Sequence, residues 1–178
     1  MAGGFWSTGN TYEIIGNYTL NIYNNYTANE LENLGISYIA LSPELDKDSL
    51  NSFYTTLKTE AIVYGSLPVM TTNYCLLSGS NFCLEKCKNN CTNSEHEYYL
   101  KDRLNMNCRV IPDSFTKTTT IYNSKMISIG INEINVNCVR FNFVDESVEE
   151  MHDIIEAFKR GDIMEGKDYT NGNFKRFV

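Results

Sequence analysis

Residues 61–74 read Ala61-Ile-Val-Tyr-Gly-Ser-Leu-Pro-Val-Met-Thr-Thr-Asn-Tyr74, a short apolar run that passes into Gly, Pro, Thr and Asn. An apolar run of this length followed by turn residues is typical of a buried strand that leads into a loop. Cys75 comes next, and Cys83, Cys87 and Cys91 follow closely. Because α/β folds build their sites at the ends of strands, we expect any chemistry to take place near this loop.

The residues before this strand alternate between strand and helix patterns. A Thr at the start, a Glu three residues later and a closing Gly are typical of a short helix. The predicted order is strand Tyr18–Tyr23, helix Thr27–Gly35, strand Ile36–Leu41, helix Asp46–Lys58 and strand Ala61–Leu67. This alternation predicts parallel βα units and an α/β fold.

The pattern changes after the third strand. Residues 75–97 have no sustained apolar period and are rich in Asn, Ser, Lys and Cys, so they predict an excursion or site loop. The β-prone pieces that follow, at Tyr98–Leu104, Arg109–Ile111 and Thr118–Tyr122, predict a small antiparallel addition.

The βα pattern then returns with a strand at Asn137–Phe143 and a helix at Val148–Arg160. The apolar period of that helix predicts an inward face made of Val148, Met151, Ile155 and Phe158. We expect residues 11–160 to form one domain, residues 1–10 an irregular start, and residues 161–178 an irregular Gly- and Asn-rich tail.

Charge and hydropathy exclude two classes of protein. A net charge of -7 without a dense Lys/Arg run argues against a dedicated nucleic-acid surface, because phosphate binding needs clustered positive charge. The sequence has no apolar stretch near the roughly 18 to 20 residues that a membrane span needs, and no export signal. We therefore expect a cytoplasmic protein whose cysteines are thiols, metal ligands or core residues more often than disulfides.

The four clustered cysteines, Cys75, Cys83, Cys87 and Cys91, have three interpretations. Four thiolates that converge can hold zinc or an iron-sulfur cluster, because both metals prefer soft sulfur donors. The alternatives are inert thiols and disulfides. We expect the other two cysteines, Cys108 and Cys138, to act as small apolar residues within strands. Of the two histidines, His152 is expected to be exposed on its helix, and His96 to be either exposed or a further ligand.

Eight short elements, in this order, resemble peptidase family U32, the collagenase-like peptidases. They are Tyr18-Thr-Leu-Asn-Ile-Tyr-Asn24, Leu41-Ser-Pro-Glu-Leu45, Ile62-Val-Tyr-Gly-Ser-Leu-Pro-Val-Met70, Tyr74-Cys75, Tyr99-Leu-Lys-Asp-Arg103, Ile121-Tyr-Asn-Ser124, Val139-Arg-Phe-Asn-Phe143 and Tyr169-Thr-Asn-Gly-Asn-Phe-Lys-Arg176. Each is weak alone, but together they span nearly the whole chain after residue 10.

The resemblance implies a (β/α) barrel of the triose-phosphate-isomerase (TIM) type, of which this chain carries only the C-terminal half. The expected fold is a partial barrel with an inserted Cys-rich loop at residues 75–97 and the small antiparallel addition. Such a chain is expected to be a fragment of a longer protein, inactive alone unless copies associate through their open strand edges.

Three functions remain open, and the resemblance implies the first two. The first is a peptidase acting on peptides or proteins. The second is an oxygen-independent hydroxylation factor for an RNA base or a quinone precursor, with an iron-sulfur cluster on four cysteines. The third is a zinc-stabilised binding module without catalysis. Family cysteines usually also precede the Ile-Tyr-Asn-Ser element, where this chain has Ser114 and Thr118–Thr120 instead. A cluster here would therefore need Cys83, Cys87 and Cys91.

In a barrel of this type, residues near the C-terminal ends of strands face the substrate. We expect Glu44 to accept a proton and Arg140 to clamp an anionic group, or the two to form an internal ion pair. Asn21 and Asn123 are expected to orient a substrate by hydrogen bonds, or to satisfy loop backbone. The sequence contains neither a Gly-x-Ser-x-Gly elbow nor a His-Glu-x-x-His zinc helix.

Overall fold

The computed structural model describes residues 13–74, 97–113 and 115–175 of the chain. Its helices are α1 (Asn25–Asn33), α2 (Lys47–Asn51) and α3 (Val148–Arg160). Its strands are β1 (Ile15–Gly16), β2 (Tyr38–Ala40), β3 (Lys58–Gly65), β4 (Pro68–Thr72), β5 (Tyr98–Lys101), β6 (Asn107–Asp113), β7 (Thr118–Tyr122), β8 (Met126–Ser128), β9 (Cys138–Asn142) and β10 (Tyr169–Thr170). No helix within these ranges has the length and apolar character to cross a bilayer.

The main sheet has six strands, and β3 is its centre. Strands β1, β2, β3 and β9 lie side by side and are all parallel. The C-terminal end of β3 also pairs with β8, which runs antiparallel to it and is parallel to β10. The fold is therefore a mixed α/β fold with a parallel sheet, and its described strands do not close into a barrel.

The predicted antiparallel addition is confirmed as a separate four-stranded sheet in the order β4-β7-β6-β5. All of its pairings are antiparallel. One part of it was not expected: the residues after Gly65 form β4 and belong to this second sheet. Tyr74-Cys75 therefore follows an edge strand of the antiparallel sheet, and the end of parallel strand β3 lies several residues earlier.

The core lies between the parallel sheet and its helices. Strand β3 is buried from Thr59 to Gly65, and strands buried on both faces read as continuous apolar runs. One apolar cluster joins this sheet to α1 and α2, and a second joins it to α3. In the second cluster Phe141 and Phe158 meet edge to face, with 5.2 Å between ring centroids.

Several predicted elements are confirmed and two are wrong. The strands at Ile36–Leu41, Ala61–Leu67 and Asn137–Phe143 are present with shifted ends, and α3 has the predicted bounds. Residues 18–23 do not form a strand: Tyr18–Leu20 is a 3-10 turn, and Asn21 has a left-handed φ of 50° that a strand does not tolerate.

The predicted helix at 46–58 shrinks to α2. Asp46 caps its first turn and Ser52 ends it, and Lys58 already belongs to β3. The Asn51 side chain explains the early end, because it donates to the backbone oxygen of Glu133 and accepts from the amide of Asn135. These two bonds anchor the last residue of α2 to the segment after β8.

The buried stripe of α3 differs from the predicted one. Ile154 and Phe158 are buried, whereas Val148 in the first turn is 75% exposed. The buried stripe is thus centred on Ile154 and Phe158, which lie one helical turn apart and pack on β3, and Val148 lies at its margin. The tail after Gly161 is mostly irregular as predicted, except that β10 adds to the main sheet.

Gly65 allows β3 and β9 to approach closely at the end of β3. Its φ is +116°, and a Cβ on it would lie 2.0 Å from the backbone oxygen of Asn142. Gly35 provides a matched comparison, because its φ is +85° and a Cβ there would have no atom within 4 Å.

We predict that Gly65→Ala lowers the free energy of unfolding by about 3 kcal/mol or more, because backbone strain and a steric clash add. Gly35→Ala should cost only the strain, roughly 1–2 kcal/mol. Urea denaturation followed by circular dichroism measures both. Equal losses in the two variants would contradict the close approach of β3 and β9.

An ion pair between Lys47 and Glu133 should make stability depend on pH. Its atoms lie 2.7 Å apart, and the Lys47 ammonium lowers the pKa of Glu133. A lowered pKa in the folded state gives stability that is present above the unfolded pKa and is lost as pH falls through the folded value. We predict that Lys47→Gln destabilises the protein at pH 7 by less than about 1 kcal/mol, because the pair is partly exposed. The difference from the unsubstituted protein should disappear in unfolding curves below pH 3; a difference that persists there would contradict it.

Candidate functional site

The parallel sheet carries its functional groups on the face that points away from the helices. Side chains alternate along a strand, so Ile39 and Ala61 join the helix-side core while Tyr38 and Glu60 point to the other side. Arg140 lies on that side of β9, opposite Ile62 in the register. We call this surface, which bears Tyr38, Glu60 and Arg140, the polar face.

Glu60 is the buried member of this group. Its side chain is 12% exposed, and its Oε2 atom accepts a hydrogen bond of 3.0 Å from the Tyr38 hydroxyl. The Nε atom of Arg140 lies 2.5 Å from Oε1, but no hydrogen bond is directed at Oε1, which is shielded from solvent. The contact is therefore an ion pair in which Arg140 shields Glu60 Oε1 from solvent but does not donate a well-aligned hydrogen bond to it.

Arg140 is held from the opposite side by the turn after β1. Its Nη1 atom donates a hydrogen bond of 2.6 Å to Asn17 Oδ1, and its guanidinium lies 6.0 Å from the centre of the Tyr18 ring. The pKa of Tyr18 is raised, mainly by burial and to a smaller extent by the nearby Tyr122, while the Arg140 charge opposes that rise. The guanidinium thus joins β9 to the end of β1, across the two strands between them.

Tyr38 remains a hydrogen-bond donor at neutral pH. Burial raises the pKa of its hydroxyl, and contacts with Cys138 and Glu60 raise it further. A phenol that holds its proton can donate to the Glu60 carboxylate over the whole physiological range. The chemistry available on the polar face is therefore that of a carboxylate oriented by a fixed phenol and a guanidinium.

The structure separates the predicted catalytic pair. Glu44 is exposed after β2 and forms no ion pair with Arg140; among the described residues, Arg140 pairs with Glu60. Glu44 forms hydrogen bonds through its backbone; its carbonyl oxygen accepts one of 3.0 Å from the Tyr23 hydroxyl. The predicted internal ion pair therefore exists with a different carboxylate.

The predicted asparagines lie elsewhere. Asn21 accepts a hydrogen bond of 2.6 Å from Ser42 Oγ, a side-chain partner and not loop backbone. Asn123 is exposed after β7, where its backbone N–H donates to the backbone oxygen of Leu67. Their predicted roles in substrate binding stay predictions.

The predicted metal ligands Cys75, Cys83, Cys87 and Cys91 lie outside the described residues, as does His96. Within the described ranges no three His, Cys, Asp or Glu side chains cluster closely enough to hold a metal ion.

The remaining candidates give mixed outcomes. His152 is exposed as predicted. Cys108 is half-buried, but Cys138 is exposed where β9 begins, so the expectation of a buried apolar thiol is wrong there.

A cavity of about 450 Å³ lies beyond the C-terminal ends of β3 and β9, where open α/β sheets often bind ligands. Its acidic lining is made of Asp145, Glu146, Glu150 and Asp153. Three of these carboxylates have structural partners: Asp145 pairs with Arg109, Glu146 accepts from Tyr64 and two backbone amides, and Glu150 completes the cap of α3. These bonds account for three of the four acidic residues of the lining without a ligand.

Sequence reasoning missed Glu60 and Tyr38. Glu60 stands immediately before the apolar run of β3, and Arg140 interrupts the apolar run of β9. Opposite charges inside two strands that are expected to be buried are a signal for an ion pair, because buried charges are paired. That signal would have favoured Glu60 over Glu44 as the partner of Arg140.

A protein-family model described as Peptidase family U32 matches residues 10–159 of the 178-residue chain. The match includes every residue of the polar face. Neither the curated proteins nor the solved structures include a significant match to the chain.

We predict that Arg140→Met destabilises the protein by roughly 2–4 kcal/mol, because it leaves the Glu60 carboxylate buried without a counter-charge. The double variant Glu60→Gln/Arg140→Met should recover most of that loss, since no buried charge remains. Arg160→Met is the control, because its ion pair with Asp162 is well exposed and should contribute at most about 1 kcal/mol. Chemical denaturation measures all three; a double variant no more stable than Arg140→Met would show that the ion pair does not set the stability of this face.

Proposed function

We propose that this chain, which belongs to peptidase family U32, takes part in peptide-bond hydrolysis at the polar face of its parallel sheet. We also propose that β1, β2, β3 and β9 form part of a (β/α) barrel of the TIM type. Parallel strands with helices on one side and polar groups on the other support this proposal. Glu60 lies near the N-terminal end of β3 and Arg140 in the middle of β9, so the proposed site is inside the barrel and not at its C-terminal rim.

The observation that carries the functional proposal is the fixed carboxylate of Glu60. A general base has to be oriented before it reacts, and Glu60 is held by groups from both neighbouring strands, Tyr38 and Arg140. Three of the four acidic residues that line the cavity beyond β3 and β9 already have structural roles. Glu44 lacks an arrangement like that of Glu60. Glu60 is therefore the base that we assign.

In the proposed reaction Glu60 acts on a water molecule. The water oxygen bonds to the carbonyl carbon of the peptide while one of its protons passes to the Glu60 carboxylate. The carbon–nitrogen bond then breaks, and the proton moves from Glu60 to the leaving nitrogen. The step consumes one water and restores the carboxylate, so it needs no oxidant or other co-reactant. Tyr38 positions the carboxylate throughout by its hydrogen bond to Oε2.

We predict that the full chain, assayed at a concentration at which copies associate through their open strand edges, cleaves members of a defined peptide mixture, read out by mass spectrometry. Glu60→Gln should lower the rate about 10²–10⁴-fold. Glutamine keeps the size of the side chain and an acceptor for Tyr38 but cannot take up the proton. Glu156→Gln, on the exposed side of α3, is the matched control and should keep the rate of the parent chain.

Two results would contradict the proposal. The first is the absence of cleavage by a folded parent chain. The second is cleavage that survives in Glu60→Gln but is lost in Glu44→Gln, which would move the base to the residue first predicted from the sequence. Circular dichroism of each variant separates loss of activity from loss of fold.

A further inference from the structure

We infer that Arg140 binds the C-terminal carboxylate of a peptide, so that the polar face selects peptides with a free carboxyl end. This inference rests on the proposed function, because it names the substrate class of the same site. It assigns to Arg140 a ligand that is not part of the protein.

The first step concerns the donors that Arg140 has left. A guanidinium carries five N–H donors in a planar fork. Contacts within the described part of the chain engage the Nε atom with Glu60 and the Nη1 atom with Asn17, and they supply no acceptor to Nη2. One Nη2–H group lies on the same edge of the guanidinium as the Nε–H that faces Glu60, and the other lies beside Nη1, so a bidentate ligand would use Nη2 together with Nη1.

The second step concerns access. The Arg140 side chain is 27% exposed, more than twice the 12% of Glu60 beneath it. Asn17, which holds the outer side of the fork, is itself exposed. A ligand that approaches the polar face therefore meets the guanidinium before the carboxylate. It can take over the Arg140 Nη1–H group that now bonds to Asn17 Oδ1, since this oxygen keeps the bond that it accepts from the Tyr18 amide.

The third step concerns the charge of the ligand. Planar carboxylates match the guanidinium fork in a bidentate contact. A phosphate group would bring up to two negative charges next to Glu60 in a protein of net charge -7, whereas a carboxylate brings one. The chemistry of the site thus favours a singly charged carboxylate, and the terminal carboxylate is the one present in every unmodified peptide.

The fourth step connects the ligand to the base. In a peptide, only the nitrogen and one Cα separate the last carbonyl carbon from the terminal carboxylate. A carboxylate bound to Arg140 therefore brings the last peptide bond close to Glu60, whose atoms already contact the same guanidinium. The Nη atoms can take the ligand while Nε keeps its contact with Glu60, so the carboxylate stays oriented as the ligand binds.

The test compares two probes that differ in one group: N-acetyl-dialanine with a free carboxylate, and the same compound as its C-terminal amide. Each is titrated into the 15N-labelled full chain, and dissociation constants are taken from chemical shifts. We expect the acid to bind about tenfold or more tightly than the amide, since charge-assisted bonds are roughly twice as strong as neutral ones. The largest shifts should fall on the Arg140 Nε–H and the Asn17 side-chain amide.

Variants locate the preference. Arg140→Gln should abolish the difference between acid and amide, and Arg140→Lys should keep a part of it, because lysine retains the charge without the fork. Arg109→Gln is the matched control: Arg109 also pairs with carboxylates, but it lies on β6 and contacts Asp145 and Glu97. It should keep the full preference.

Three results would overturn the inference: no binding of the acid, equal binding of acid and amide, or a preference that persists in Arg140→Gln. The parent comparison and the Arg140 Nε–H shift decide the matter if Arg140→Gln fails to fold. Shifts are recorded before measurable hydrolysis, which mass spectrometry of the same sample monitors, so the two proposals fail separately. A preference for the acid without hydrolysis contradicts the proposed reaction alone, and hydrolysis without that preference contradicts this inference alone.

Discussion

A carboxylate within the central strand of a buried sheet constrains everything around it. Glu60 lies on β3, which pairs with other strands along both edges, and an ionised group there needs compensation from the protein itself. Tyr38 on β2 and Arg140 on β9 supply it from the two adjacent strands. Because a slip of one residue moves every side chain to the opposite face, the same contacts that compensate Glu60 also favour a single register for both pairings.

The turn after β1 extends this arrangement to a fourth strand. Asn17 caps the 3-10 turn with its side chain and accepts from Arg140 with the same oxygen. The left-handed conformation of Asn21 then returns the chain to the sheet at Ile22, which bridges to Leu41. Residues that an alternating pattern assigns to a strand thus form a turn, and this turn places Asn17 against Arg140 of β9.

The accuracy of sequence reasoning followed the strength of the local signal. Continuous apolar runs marked β2, β3 and β9, and the Ser147 cap with its matching Glu150 bounds α3, so these elements were predictable. The short α2 and the turn at Tyr18 depend on asparagine side chains that bond to distant backbone or to Arg140, which no local pattern reveals. The partner of Arg140 was missed for a related reason. The predicted partner, Glu44, follows the end of a strand, whereas the actual partner, Glu60, lies within β3.

The segment that bears the clustered cysteines, residues 75–96, follows β4 and precedes β5 in the sequence. These two strands are the two edges of the antiparallel sheet. Strands in a sheet are about 4.8 Å apart, so the two ends of the segment are separated by roughly 14 Å across β7 and β6. Among the described residues, Glu60 and Arg140 are held by strands of the parallel sheet and by the turn after β1. The described parts of the two sheets approach each other at Tyr122 of β7, which helps to raise the pKa of Tyr18, and the Tyr18 ring in turn lies against the Arg140 guanidinium. The antiparallel sheet therefore influences the ion pair through the turn after β1.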